Sequence, residues 1–371
     1  MTGEYNAGGI VYRRARLADD ADLRATLRDN AMNSWVALTL EREPSFFEGE
    51  GLMGESVAVI ARKETPPYSA VGMYSCAFLP VHVNGKPECV GYLGGLRVNR
   101  PYRRRPRIVK NGFASIHALV PNQGTVPFWF TTVGRENSRA RRLLEASLVG
   151  MPVYRQVGVL ETLAIATRQG RERGLLQRAV PKDIDGLADF YNLQAARHQF
   201  APVLTEEWLR GLSNGKGLGL NDFWLVKDGP EIRGCLAVWD QRALKQTVAR
   251  GYRFPLNALR RPYNVWASAT GRVKLPAPGK ALEQVYLAFV AFDERADDVA
   301  VDAVREGLIK ARDKGAAAGV LGLAETNPLA GKLKAAFSAH SYHTCIETVS
   351  WHDDPEPKLD GRAPQQEVAL L

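Results

Sequence analysis

Cysteine is scarce in this chain of 371 residues: four in all, Cys76, Cys89, Cys235 and Cys345, widely separated and never in CxxC spacing. The spacing excludes a zinc ribbon and the low density excludes a disulfide scaffold, so reduced, buried thiols are expected. Long apolar runs are missing as well, none approaching the roughly 20 residues that a membrane-spanning helix requires. No membrane segment is predicted. Residues 1–14 carry neither the apolar stretch nor the small-residue cleavage site of a secretory signal, and a cytoplasmic protein is expected. Histidine is rare too, six in all. His340 and His343 stand three apart, a spacing that could hold a metal on a helix, but no Cys, Asp or Glu completes a ligand set; no metal is predicted.

What is present points to a two-part globular chain. Its length exceeds a typical single core, since domains run to roughly 150 residues. Hydrophobic residues make up 45% and charged residues 24%, the balance of an ordinary soluble fold. Forty-nine basic residues against 40 acidic give a net charge of +9, which suits nucleic acid or an anionic cofactor. Where the charge sits must decide between them.

The chain contains an internal echo. A short strand at Ile10–Tyr12 turns at Ala18-Asp19-Asp20 into a helix carrying Leu23, Leu27 and Ala31 on one face. From Leu176 the pattern returns: Arg178, Ala179, Asp183 and Leu187 match Arg14, Ala15, Asp19 and Leu23 at one common spacing. These are a strand exit, an acid at a helix N-terminus and a first core residue.

Further strands are predicted at 56–60, 70–81, 89–98 and 128–133, with a helix carrying Val109, Gly112, Phe113, Ile116 and Val120 before the last. The second half predicts strands at 223–226, 232–239, 285–292 and 319–324. Before the last of these comes a helix with Val301, Val304, Leu308 and Ala311, opened by Asp297-Asp298. Asn137 and Asn327 then each stand where a helix cap belongs, with Pro328 in the first turn. Their spacing is wider than that of the earlier matches, which places an insertion in the second half, at 241–280. The fold class expected is α/β (α+β), with domains at 1–168 and 174–356 and a disordered tail at 357–371.

Chemistry concentrates between the strand 89–98 and the next helix. Arg97, Arg100, Arg103, Arg104, Arg105, Arg107 and Lys110 crowd there, where a basic loop and the free N–H groups of a helix start meet and bind phosphate. Gly94-Gly95 lies in the strand, marking a bulge or a close ligand approach. Together these suit a ligand with a pyrophosphate and a long apolar arm.

Leu96-Arg97-Val98 leading into Tyr102-Arg103, then Asn137-x-x-Ala140-x-x-Leu143, carry a resemblance to the GCN5-related N-acetyltransferase (GNAT) superfamily. The opening Arg13 through Leu23 and the second-half Asn327-x-x-Ala330-x-x-Leu333 resemble it again. The resemblance implies two GNAT-like domains in tandem, each a mixed, mostly antiparallel twisted sheet flanked by helices. It implies an N-acyltransferase whose first domain binds acetyl-CoA or another acyl-CoA. A small-molecule or protein amine would attack the thioester directly, with the oxyanion held by a backbone N–H near Leu96 to Val98. The implied cofactor contacts are Leu96, Arg97, Val98, Arg103, Arg104, Arg105, Arg107, Ile108 and Asn137.

The pattern also departs from the family. Pro106 and Ile108 occupy its glycine or alanine positions, and Leu144 and Lys334 stand where it has a tyrosine acid. The second loop, Asp293 to Asp298, is acidic where pyrophosphate would lie, so only the first domain is expected to hold a cofactor. Glu88 and Tyr92 are the nearest candidates for a general base; their plainer readings are a surface acid at a strand start and a core aromatic. The insertion interleaves Arg250, Tyr252, Arg253, Phe254, Arg260, Arg261, Tyr263 and Trp266, which suits either single-stranded nucleic acid or a clasp between domains, and the clasp is favoured. A second reading of the whole chain therefore stays open: an inactive protein of this fold whose basic face binds nucleic acid or another polyanion.

Overall fold

The structure, a computed structural model, describes residues 3–33, 35–146, 148–167, 170–212, 215–296, 298–352 and 354–371. Along the first half run β1 (Glu4–Ala7), β2 (Ile10–Arg14), α1 (Asp20–Asp29), β3 (Met32–Asn33), β4 (Val36–Glu41), β5 (Glu55–Lys63), β6 (Ala70–Val83) and β7 (Lys86–Val98). Then come α2 (Pro106–Leu119), β8 (Trp129–Gly134), α3 (Ser138–Leu144) and β9 (Val153–Ala166). The second half holds β10 (Leu176–Arg178), α4 (Ile184–Ala195), α5 (Glu206–Arg210), β11 (Phe223–Asp228), β12 (Glu231–Trp239), β13 (Gln246–Tyr252) and α6 (Leu256–Thr270). It ends with β14 (Lys280–Ala281), β15 (Gln284–Phe292), α7 (Ala300–Asp313), β16 (Ala318–Ala324), α8 (Pro328–Ala336) and β17 (His340–Ser350).

Among the described residues thirteen strands form one sheet, ordered β1-β2-β5-β6-β7-β8-β17-β9-β16-β15-β12-β11-β10. It is antiparallel except where β7 meets β8 and β15 meets β16. The mixed, mostly antiparallel sheet flanked by helices is thus the architecture that forms. Its centre was not expected from the sequence. The closing strand of the first half, β9, pairs with β16 of the second, while the chain's last long strand, β17, inserts between β9 and β8. Each half lends the other a strand, so the sheet runs unbroken through the middle of the molecule.

Alternation along the strands sorts the helices onto two faces. Ala58, Ile60 and Met73 point to α1, and Val59, Ala61 and Tyr74 point to α2, as a side-chain period of two requires. α2 seals its face because Ile108, Val109, Phe113, Ile116 and Leu119 recur on one stripe and are all buried. Two of the four echoed pairs hold matching roles. The carboxylates of Asp19 and Asp183 accept the amides of Arg16 at 2.8 Å and Val180 at 3.1 Å, and Leu23 and Leu187 are fully buried.

The insertion behaves as a clasp. β13 pairs with β4 of the first half in a small second sheet, and Arg250 pairs with the buried Glu41 across that seam. Tyr252 donates to the Pro276 carbonyl, Arg272 lies over Trp266, and Tyr263 meets His340. Those groups are spent on the protein itself. His340 and His343 stand on a strand, where a three-residue spacing turns them to opposite faces, so the helical geometry that would pair them does not arise.

The tail corrects an expectation. Instead of disorder at 357–371, Gln366, Glu367 and Ala369 are buried, and a 3-10 turn at Val368–Leu370 packs against β15 and β16. Gln365 accepts from the Ala324 amide and from Asn327. Its polar composition reads as loose chain only while those partners are unknown. Residue 168, Asp297 and Asp353, at the expected domain boundary, the head of α7 and the start of the tail, lie outside the described residues. No helix among the described residues is long and apolar enough to cross a membrane.

Candidate functional site

The parallel strands β7 and β8 share only three registered pairs, Gly91 with Trp129, Tyr92 with Phe130 and Leu93 with Thr131. Beyond these β7 runs on to Val98 and β8 to Gly134 with no mutual pairing, so a wedge opens between them. At its apex Thr131 donates to the Leu93 carbonyl at 2.6 Å. The parting follows from a bulge: β7 spends one extra residue against β6 between Gly94 and Arg97. Gly95 takes φ +62°, where a Cβ would also meet the Ser75 hydroxyl at 2.7 Å. Gly94 is needed for another reason, since the Tyr92 ring lies across it. The glycine pair therefore has a local cause in the bulge and in that ring.

Past the wedge the chain enters the arginine loop. Arg103 donates from Nε to the Val98 carbonyl at 3.1 Å and from Nη2 to the side-chain oxygen of Asn30 at 2.8 Å, tying the loop to the end of α1. α2 then starts at Pro106 with no side-chain cap and no acid in its first turn. Proline suits that position because its missing N–H is not used by the helix. Arg100, Pro101, Arg103, Arg104 and, from the first turn of α3, Arg139 line a pocket of about 360 Å³. Guanidinium groups gathered in the loop before α2 repel one another and attract an anion.

The predicted residues divide on this frame. Arg103 and Arg104 line the pocket; Arg105 leans over the Tyr102 ring at 5.8 Å, and Arg107 is exposed at the helix start. Ile108 is not brought to the pocket: it is buried, its amide bonds the Arg105 carbonyl, and its own carbonyl accepts from Tyr12. Leu96 and Val98 pack toward the α2 core while Arg97 faces the other side. Asn137 caps α3 through the Ala140 amide at 3.3 Å. Glu88 sits before the apex, bonded to Thr125 at the closed end, and is therefore remote from the opening. Tyr92 is at the apex, its hydroxyl 2.8 Å from Thr132 Oγ1, with burial pushing its pKa up. Leu144, at the place of the family's tyrosine, is core.

One acid escaped the sequence reading. Glu347 of β17 is 1% exposed, stands in register with Thr131, and has no hydrogen-bond partner for either carboxylate oxygen among the described residues. Burial, with Glu145 adding and Arg141 opposing, pushes its pKa up to about 7. Only the exchange of closing strands brings it beside β8.

The second half builds the same wedge and fills it. β15 and β16 share three parallel pairs, from Gln284 with Ala318 to Tyr286 with Val320, and a bulge follows with Phe289 at φ +54°. The Phe289 amide donates to Glu367 at 2.7 Å, and the ring stacks with Phe223 and Trp239. Burial raises Glu367 to about 7 despite the amides of Ala369, Phe289 and Val368 and the nearby Lys245, which is itself lowered to about 7 by burial. Where the first loop gathers arginines, Asp293 turns its own carboxylate onto the amides of Arg295 and Ala296, both at 3.0 Å.

No family profile matches the chain, and no curated protein matches it by sequence. Solved structures do. The N-myristoyltransferase of Saccharomyces cerevisiae with bound myristoyl-CoA superposes with a TM-score of 0.58 at 11% identity, covering 97% of this chain and 89% of that one. A GCN5-related N-acetyltransferase from Sphaerobacter thermophilus gives a TM-score of 0.56 at 14% identity, with 97% and 100% covered. At such identities the likeness speaks for the fold, and it spans both halves. The chain has the fold of the GCN5-related N-acetyltransferase superfamily over nearly its whole length.

Proposed function

We propose that the protein is an N-acyltransferase, built from two copies of one plan, in which the first wedge takes an acyl-CoA and the second serves as scaffold and acceptor wall. The observation that carries this reading is the contrast at the two loops: arginines lining a pocket in the loop before α2 in one, an aspartate bonded to the amides of its own following turn in the other. The pyrophosphate would lie among Arg100, Arg103, Arg104 and Arg139, and the pantetheine arm would run along β7 into the opening beside Gly95 to Val98. The related structures were solved with bound myristoyl-CoA in one case and belong to a named acetyltransferase in the other, so acetyl and longer acyl donors are both candidates.

In this mechanism the acceptor amine loses its proton to a base or water and attacks the thioester. A backbone N–H at the bulge, near Leu96 to Val98, would hold the oxyanion. Tyr92, hydrogen-bonded at the apex and kept neutral by burial, can relay a proton but is a poor base; Glu88 is too remote to act. No tyrosine stands at the family's acid position, so the thiolate leaves unassisted or takes its proton elsewhere.

Calorimetric titration of acetyl-CoA and myristoyl-CoA into the wild type and into Arg100→Glu/Arg104→Glu tests the reading. Binding lost in the variant supports it; no heat from either donor at about millimolar ligand would sink it. The departures at Pro106 and Leu144 favour one rival, an inactive polyanion binder. Tight binding of a single-stranded oligonucleotide with a steep salt slope, and none of CoA, would establish that rival instead.

A further inference from the structure

Arg97 does not belong with the arginines of the loop. It pairs in register with Met73, whose side chain lies in the cluster beneath α1, and cross-strand partners share a face. The loop arginines gather round the head of α2, whereas Arg97 projects onto the α1 side of the wedge, just past the bulge.

On that side its neighbours are hydroxyl groups, and among the described residues no acid is paired with it. Tyr92 and Tyr342 are the titratable groups near it. Thr132, across the wedge, holds the Tyr92 hydroxyl at 2.8 Å. Tyr342 lies so close over Gly134, at the end of β8, that a Cβ there would collide with its hydroxyl. The Arg97 guanidinium itself donates to the carbonyl of its own neighbour Leu96, at 2.9 Å, and among the described residues it has no ion pair. Other arginines of this face have carboxylates: Arg13 and Arg62 meet Asp19 at 2.7 and 2.9 Å.

A partly buried guanidinium with no counter-ion is costly to keep. Burial lowers its pKa, and the two tyrosines only partly oppose that. Such a group is retained where something else supplies the negative charge, and a planar carboxylate matches its paired donors best.

We propose that the Arg97 guanidinium receives a carboxylate of the substrate on the α1 side of the first wedge, separately from the cofactor phosphates. The inference rests on the acyl-transfer reading above and narrows it to a substrate class. The carboxylate is carried either by the acceptor, as in an amino acid, or by the far end of the acyl group, as in a dicarboxylic acyl-CoA.

Two binding ratios separate these sources. The donor arm compares succinyl-CoA with acetyl-CoA by calorimetry. The acceptor arm titrates a panel of L-amino acids and their amides into protein saturated with CoA. The expected result is a preference of about tenfold or more for the carboxylate in one arm, the scale of a charge-assisted hydrogen bond. That preference falls below about threefold in Arg97→Gln and survives in part in Arg97→Lys. Because the readout is a ratio, a general loss of affinity does not imitate it. A wild-type ratio below about threefold in both arms, or a tenfold ratio unchanged in Arg97→Gln, overturns the proposal. No heat with CoA itself is a different failure: it removes the acyl-transfer reading and this inference with it.

Discussion

In the first half, β7 and β8 part after Leu93 at a glycine bulge, and the loop beyond them is lined with arginine. In the second half, β15 and β16 part after Tyr286 at a phenylalanine bulge, and protein carboxylates bond the backbone there: Glu367 at the bulge amide and Asp293 at the amides of Arg295 and Ala296. Similar backbone courses thus carry an arginine-lined opening in one half and a self-bonded core in the other. The difference lies in which charged side chains, and which stretch of tail, reach the exposed N–H groups. Carboxylates at the bulge and the loop give those N–H groups of the second half their partners, which suits a structural role.

That comparison breaks most sharply at the loops. Arg100→Glu with Arg104→Glu is expected to weaken acetyl-CoA binding about 100-fold or more, since two charge-assisted contacts become repulsions. Asp293→Asn, at the matching place, is expected to change it less than about twofold. Calorimetry reads both, and equal losses would show that the halves are not different in kind.

At the bulges the order reverses. Glu367→Ala strips the Phe289 amide of its acceptor and Lys245 of one of the two carboxylates that oppose its burial, and should cost roughly 2–4 kcal/mol of stability by chemical denaturation. A loss under about 0.5 kcal/mol would mean that the tail does not hold the second wedge shut.

Glu347 sharpens the comparison through pH. Its folded pKa, about 7, lies above the ordinary 4.5, so the folded chain binds its proton more tightly than the unfolded one. The resulting penalty is absent below the unfolded value, grows as pH rises toward 7 and is constant above. Glu347→Gln should therefore stabilise the protein by roughly 1–3 kcal/mol at pH 8 and have little effect at pH 4. Urea unfolding at the two pH values measures the difference; stabilisation equal at both would remove the buried-charge explanation.

Asp19 gives a smaller effect, with opposite sign. Burial would raise its carboxyl, but hydrogen bonds from Arg13, the Arg16 amide and Arg62 outweigh it and hold the pKa at about 2, below the ordinary 3.8. Its contribution is present above 3.8 and lost as pH falls toward 2, and Asp19→Asn should cost roughly 1–2 kcal/mol at pH 7. Asp183, held by one lysine and one amide, should cost less when changed in the same way.

Much of the frame was legible in the residues. Leu23 and Leu187, Asp19 and Asp183, and the two asparagine caps declare their roles locally, through spacing and through bonds made within a few residues. The arginine loop was legible for the same reason. Glu88 misled because it precedes the right strand yet sits at its closed end, and Ile108 because a motif position says nothing about which way a helix turns its side chain. Glu347 was invisible: its partners on β8 and α3 lie far away in the chain, and nothing in its own segment marks it as buried.

By itself, then, the sequence determined the periodic elements, the turn and cap chemistry, and the charge of each loop, all of which follow from neighbours a few residues apart. The tertiary structure decided the exchange of β9 and β17, the burial of the tail in the second wedge and, among the described residues, the lack of an ion pair at Arg97 and of a hydrogen-bond partner at Glu347. Those depend on contacts between segments far apart in the chain, 78 residues for Phe289 with Glu367 and more for β17 with β8, which only the closing of the sheet brings together.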